Sequence, residues 1–293
     1  MIRALALLLV MMWLAPPAVA APLRVVATFS ILGDIVARVG DENIVLTTLV
    51  GPEGDAHAYQ PRPADAVALA GADLVIVNGF GFEGWIDRLV SASGYAGPVV
   101  RAARDAVRMP LGGSNVDPHA WQDAGRARAY VETIADALAA ADPDRTEVYR
   151  ARATAYAARL SKLHEEIQAM FAAIPPTRRR VVTAHNAFGY FAAAYGVTFR
   201  SPQGLGAEAE PSAHQVAKLI RQIRSENITA VFVESVRNPR LVQQIARETG
   251  ATVAGPLYAD SLSAPDGPAT TYLDLMRHNA TLLARAMAAG AAR

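Results

Sequence analysis

The 293-residue sequence contains no cysteine. No disulfide framework supports the fold, so hydrophobic burial must suffice, and a chain of this length can achieve that as two lobes or one large domain. An excess of either charge is also missing: 28 Lys and Arg stand against 27 Asp and Glu. Setting aside Arg3, which lies in the leader described below, the balance is zero. Nothing there suits a polyanionic partner such as nucleic acid. Beyond the first residues, no apolar run is long enough to span a bilayer. Histidine is sparse as well, with six in the chain.

The opening segment, MIRALALLLVMMWLAPPAVA, has one cation at Arg3, an apolar stretch from Ala4 to Leu14, then Ala18-Val19-Ala20. That pattern reads as a secretory signal peptide, residues 1–20, cleaved after Ala20; its apolar stretch is short for a membrane span. With no cysteine near the cleavage site to carry a lipid, the exported chain is read as a soluble periplasmic protein and not a lipoprotein.

The rest alternates short apolar runs with alanine-rich helical stretches. Strands are expected at Arg24–Phe29, Ile44–Val50, Asp73–Asn78, Arg180–Ala184, Thr229–Glu234 and Ala251–Ala254. Near-continuous apolar runs suit a parallel sheet covered on both faces. Between them lie helical stretches at Ile31–Val39, Pro63–Ala70, Trp85–Ser91, Gly125–Ala141, Ser212–Glu226 and Pro239–Thr249. The βαβα order predicts an α/β fold.

One segment breaks the rhythm. From Asp144 to Ile174 the apolar residues Tyr149, Tyr156, Leu160, Leu163, Ile167, Met170 and Ile174 line one face of a long helix. Asp142-Pro143 opens it and Pro175-Pro176 stops it. Such a helix would be about 45 Å long. The expected organisation is two βα lobes with parallel sheets, residues 21–143 and 175–293, joined by one rigid helix over 144–174.

Three histidines fall in loops. His57 lies in GPEGDAHAYQPRPAD, after the second strand. His119 follows the Asp117-Pro118 turn in DPHAWQD, and His185 closes the strand in RRRVVTAHNAFGYF. Asp260, in LYADSLSAP, follows the last strand. In parallel sheets, ligands bind where loops leave the carboxyl ends of strands. Three imidazoles and a carboxylate form a complete tetrahedral shell for a divalent ion, zinc above all. Taken singly, each has another reading: His57 as a solvated loop residue, His119 as a helix cap, His185 as a core histidine, Asp260 as a turn former.

GPEGDAHAYQPRPAD, NGFGFEGWIDRL, DPHAWQD, TAHNAFGYFAAAYGV, EAEPSAHQVAKL and LYADSLS, in this order, resemble the metal-binding periplasmic substrate-binding proteins of zinc and manganese ABC importers. The resemblance spans essentially the whole chain after residue 20. It implies two lobes joined by a rigid helix, and the ligand set His57, His119, His185 and Asp260, with the metal in the cleft. It implies Zn(II) as transported cargo with Mn(II) as the alternative, an inner-membrane permease as partner with a metallochaperone as a further candidate, a monomer, and no catalysis. Manganese members tend to carry glutamate where His185 stands, which favours zinc here. Two departures concern accessory features: the histidine-rich loop before the second ligand is reduced to RMPLGGSNVDP, and a second-lobe disulfide is impossible.

Rival readings are a manganese or iron receptor, a zinc hydrolase and an adhesin or chaperone of the same fold. A hydrolase needs an open coordination position and a base motif, and no H-E-x-x-H occurs. His164, His214 and His278 are expected on the surface, as is the basic run Thr177–Arg180, with the transporter as a conceivable contact. Glu208 and Glu210 are expected to orient loops or ligands. Trp85 and Trp121 read as core.

Overall fold

The computed structural model describes residues 21–112, 115–202 and 211–289. The signal peptide at 1–20 and the pair Glu208 and Glu210 lie outside the described residues. In chain order the elements are β1 (Leu23–Phe29), α1 (Ser30–Gly40), β2 (Ile44–Val50), α2 (Pro63–Ala70), β3 (Leu74–Val77), α3 (Ile86–Ser93) and β4 (Val99–Arg101). A small ribbon follows, β5 (Pro110–Gly112) with β6 (Asn115–Val116), then α4 (Ala127–Ala141) and α5 (Thr146–Ala172). The remainder is β7 (Arg180–Val182), α6 (Gly189–Tyr195), β8 (Thr198–Arg200), α7 (Ala213–Ser225), β9 (Ala230–Glu234), α8 (Arg240–Thr249), β10 (Thr252–Leu257) and α9 (Tyr272–Ala289).

Two four-stranded parallel sheets result, β2-β1-β3-β4 and β10-β9-β7-β8. Numbered within each half, both run 2-1-3-4, so the two halves share one topology. Strand order reverses between β1 and β3 and again between β7 and β9, and the loops leaving these strands form the crevice of each sheet. The expected α/β fold is thus observed. β1 reads LRVVATF, and its last five residues are buried, as covering on both faces requires.

Several elements are set by local chemistry. Helix α2 starts with Pro63, and the Arg62 amide donates to Asp65 Oδ2 at 2.6 Å. In α7, the Ser212 hydroxyl accepts from the Gln215 amide at 3.3 Å while Gln215 Oε1 accepts from the Ser212 amide at 2.7 Å. Strand β10 bends at Gly255, whose φ of 115° only glycine adopts freely, and a Cβ there would sit 2.7 Å from the Val233 carbonyl.

Helix α5 begins later than the sequence suggests. Pro143–Arg145 form a 3-10 turn, and Asp142 Oδ2 accepts from Arg145 Nη1 and from the Tyr149 hydroxyl. At 27 residues the helix is about 40 Å long. Its apolar stripe is buried at Tyr149, Ala153, Tyr156, Leu160, Leu163, Ile167 and Phe171. Each large apolar side chain fully buried contributes about 1.5–3 kcal/mol. The stripe seats α5 against α1, α4 and α9, so the long helix lies along the body and does not stand free. The main core runs from the first sheet through α5 to α6 and α9, and a second, smaller cluster lies under α7 and α8, around Leu219, Ile223, Val231 and Ile245.

Strands β4 and β8 and helix α6 were not expected. Each strand is three residues long, with half-buried or exposed side chains, and α6 has seven residues, so none carries a clear periodic signal.

Candidate metal centre

The two D-x-H triplets are built alike. Asp55 Oδ1 accepts from the amides of His57, at 2.9 Å, and Ala58, at 3.3 Å. Asp117 Oδ1 accepts from the His119 amide at 3.0 Å. An aspartate two residues ahead thus turns the backbone and aims each imidazole inward. Trp85 Nε1 donates to the Ala56 carbonyl at 2.8 Å, fixing the His57 loop from below. Asn78 Nδ2 donates to the Pro118 carbonyl at 2.9 Å, and the Tyr130 hydroxyl donates to Asn78 Oδ1, fixing the His119 turn. Glu83 holds Asn78 in turn: its Oε1 accepts from the Asn78 amide and the Thr28 hydroxyl, both at 2.6 Å.

His185 follows β7 and is fully buried. Glu234, at the end of β9, accepts from the Ala184 amide at 2.8 Å through Oε1 and stands 2.5 Å from His185 Nδ1 through Oε2. Asp117 Oδ1 stands 2.7 Å from His119 Nδ1 in the same manner. A carboxylate on Nδ1 fixes the ring and turns Nε2 toward the cleft, the arrangement that supports metal-bound imidazoles. Asp260, also fully buried, lies beyond β10. Trp121 Nε1 and Gln122 Nε2 both donate to the Ala259 carbonyl, at 2.9 and 2.7 Å, and the Leu262 amide donates to Ser30 Oγ.

These loops converge. His57 Nε2 is 3.1 Å from His119 Nε2, and Asp260 oxygens lie 3.2 Å from His185 Nε2, 3.5 Å from His119 Nε2 and 3.9 Å from His57 Nε2. One donor atom from each of the four residues falls within 4.8 Å of the others. A tetrahedron of bonds near 2.0–2.1 Å has edges of about 3.3 Å, so these separations already approach those of a four-ligand shell. His185 Nε2 and Asp260 Oδ1 are buried without a hydrogen-bond partner. Such atoms are costly unless something satisfies them, and a cation among the four would satisfy both.

Electrostatics divides the imidazoles. Burial alone would push His185 down, but the carboxylates of Glu234 and Asp260 outweigh it and raise its pKa to about 10. Burial drives His57 down to about 3, partly opposed by Asp260 and assisted by His119, His185 and Arg237. Burial also resists charge on Asp260, yet the three imidazoles, His185 foremost, hold it well below the usual carboxylate range. With no ion bound, the two carboxylates thus favour the protonated form of His185.

The other readings sort differently. The His119 side chain caps no helix, and the Asp260 carboxylate faces the imidazoles and not its own backbone. His214 is exposed, as expected. His164 is half-buried instead, 3.2 Å from the Tyr195 hydroxyl and 3.3 Å from Asp123, because α6 packs over that turn of α5. His278 is also half-buried, donating to the Pro256 carbonyl at 3.1 Å. In the basic run, Arg178 donates to the Met287 and Ala288 carbonyls in the last turn of α9, and Arg179 to the Ile174 carbonyl just past α5. Trp85 and Trp121 are core residues, as expected, and additionally tether the ligand loops. The sequence names Asp117 only as part of a turn and gives no role to Asp55, Asn78, Glu234 or Arg237. The repeated D-x-H spacing was the available signal for two of them.

A shell of three imidazoles and one carboxylate, set where two like α/β lobes meet beside a long helix, defines a metal-ion receptor. Residues 25–286 match the family model described as ZnuA, zinc-uptake complex component A, periplasmic. The chain is 35% identical over 258 residues to the manganese-binding lipoprotein MntA of Halalkalibacterium halodurans, covering 88% of this chain and 86% of that protein. It is 33% identical to the iron-binding protein YfeA of Yersinia pestis, over 92% and 88% of the two chains. Among solved structures, the periplasmic zinc binding protein TroA from Treponema pallidum superposes with a TM-score of 0.87 at 28% identity, covering 92% of this chain and 99% of that one. A manganese-bound mutant of a periplasmic metal binding protein from Candidatus Liberibacter asiaticus superposes at 0.84 and 31% identity, over 90% and 98%. The chain belongs to the ZnuA family of periplasmic metal-binding receptors of ABC importers. Among the described residues, no helix is long and apolar enough to cross a membrane.

Proposed function

We propose that this chain captures Zn(II) in the shell of His57, His119, His185 and Asp260 and delivers it to an ABC permease in the inner membrane. The observation that carries this reading is the convergence of three imidazole nitrogens and one carboxylate oxygen, all within 4.8 Å of one another. Nitrogen-rich tetrahedral shells suit zinc, whereas manganese favours more oxygen donors. The proposed shell is closed by protein, so no position remains for an activated water, and the role is capture without catalysis. Cleavage after Ala20 would release the receptor into the periplasm as a monomer. The relatives named as lipoproteins differ from this chain, which has no cysteine to carry a lipid.

A second reading keeps the receptor and exchanges the ion. It is favoured by relatives named for manganese and iron at 35% and 33% identity. Competition titration of metal-stripped protein with zinc and manganese separates the two. One zinc per chain, lost in His57→Ala, His119→Ala and His185→Ala, is the expected result. Two or more ions, near-normal binding in a variant, or tighter manganese binding would overturn the assignment.

A further inference from the structure

Arg237 follows β9, and its side chain is only 6% exposed. One arm of its guanidinium, Nη2, donates to Asp260 Oδ2 at 3.0 Å; the other, Nη1, donates to Asp55 Oδ2 at 2.8 Å. Asp55 is the residue that turns the His57 loop through its other oxygen. One planar cation thus joins a ligand carboxylate to the carboxylate that aims another ligand. Asp55 and Arg237 also line a cavity of about 550 Å³ that none of the four donor residues lines, which places the guanidinium at its boundary with the shell.

The two oxygens of Asp260 are therefore unequal. Oδ2 accepts from Arg237 and lies 3.2 Å from His185 Nε2, while Oδ1, 3.5 Å from His119 Nε2, has no hydrogen-bond partner and is the oxygen left free for an ion. A carboxylate clamped in this way meets an ion through one oxygen, because gripping with both would set the guanidinium against the metal. Single-oxygen contact yields four donors and a tetrahedron. Ions that want six or more oxygen-rich contacts need the second oxygen.

We propose that Arg237 is a specificity-determining positioning residue: by holding Asp260 to one oxygen, it sets the site for a small four-coordinate ion over a larger oxygen-seeking one. This rests on the metal-site reading above. Arginine suits the task because its rigid fork engages two carboxylates at once and keeps its charge at every relevant pH.

The test compares wild type with Arg237→Gln, and with Arg237→Met as a second variant of similar length, in competition titrations with zinc and manganese chloride. Thermal melts of the metal-free proteins identify which variants are folded. Partners of metal ligands typically move affinity by about 10- to 100-fold. In a folded variant the zinc-to-manganese affinity ratio should fall about tenfold, and absorption spectroscopy at the zinc edge should gain one oxygen neighbour. Wild type that binds neither ion would overturn the metal-site reading itself. Wild type that binds zinc beside a folded variant with an unchanged ratio, including equal weakening of both ions, would overturn the role of Arg237.

Discussion

His185 Nδ1 lies 2.5 Å from Glu234 Oε2, although the two residues are 49 positions apart in the chain. Neither is exposed to solvent. Beyond aiming a ligand, Glu234 acts with Asp260 to favour a protonated ring, raising His185 to a pKa of about 10 against the effect of burial. An ion can take His185 Nε2 only when the ring gives a proton up. Titration calorimetry at pH 7.5 in buffers of different ionisation heat should therefore show release of about one proton per zinc. Glu234→Gln should lower that number measurably. Equal release from both proteins would remove Glu234 as the cause.

Stability of the metal-free protein should respond to pH in two opposite ways. His185 is raised from about 6.5 in the unfolded chain to about 10 when folded. Its contribution is complete below pH 6.5 and is lost as pH climbs toward 10. His57 is depressed to about 3, so its contribution is complete above pH 6.5 and is lost as pH falls toward 3. The pair together favours a maximum near pH 6.5, about the unperturbed imidazole value. Melting temperatures of wild type and His185→Gln should converge as pH rises from 6.5 to 10. Parallel curves over that range would contradict the assignment.

Replacing His185 by glutamate exchanges a nitrogen for an oxygen donor and places a second carboxylate beside Asp260 and Glu234. His185→Glu should lower the zinc-to-manganese affinity ratio, since harder donors suit manganese. Competition titration reads this directly, and a ratio that holds or rises would count against it.

Asp117 performs two tasks with one oxygen, accepting from both the amide and Nδ1 of His119. Asp117→Asn keeps an amide oxygen for the turn but loses the charge on the ring. Zinc affinity should drop by about 10- to 100-fold while the fold is retained. Asp117→Ala should lose stability as well, by about 1–3 kcal/mol, because buried donors are left without an acceptor. Denaturant melts beside zinc titrations separate the two effects.

How far the sequence spoke depended on range. The continuous apolar runs at Leu23–Phe29, Ile44–Val50 and Ala230–Glu234 announced their strands, and the stripe from Tyr149 to Ile167 announced the long helix. Each of the four candidate donors follows a strand or turn, but what joined them into one set was the resemblance of their motifs to a known family. Their supports were less readable. Asp117 sits two residues from its histidine and repeats the spacing of Asp55 and His57, a local signal. Glu234 and Arg237 act across a sheet and a cleft, through contacts that no local spacing encodes. The edge strands Val99–Arg101 and Thr198–Arg200 escaped because half-covered three-residue strands carry no run of apolar residues.

The backbone on either side of Asp260 gives the shell an uneven mechanical character. Ala259 is bonded to Trp121 and Gln122, and Leu262 to Ser30 and Glu53, all from the first half of the chain. By sequence Asp260 belongs to the second half, yet by attachment it sits on the same frame as His57 and His119. Its side chain, though, is held from its own half by Arg237, and His185 is anchored to that same half by Glu234. Asp260 therefore works as a keystone, its backbone braced from the first half of the chain and its side chain from the second.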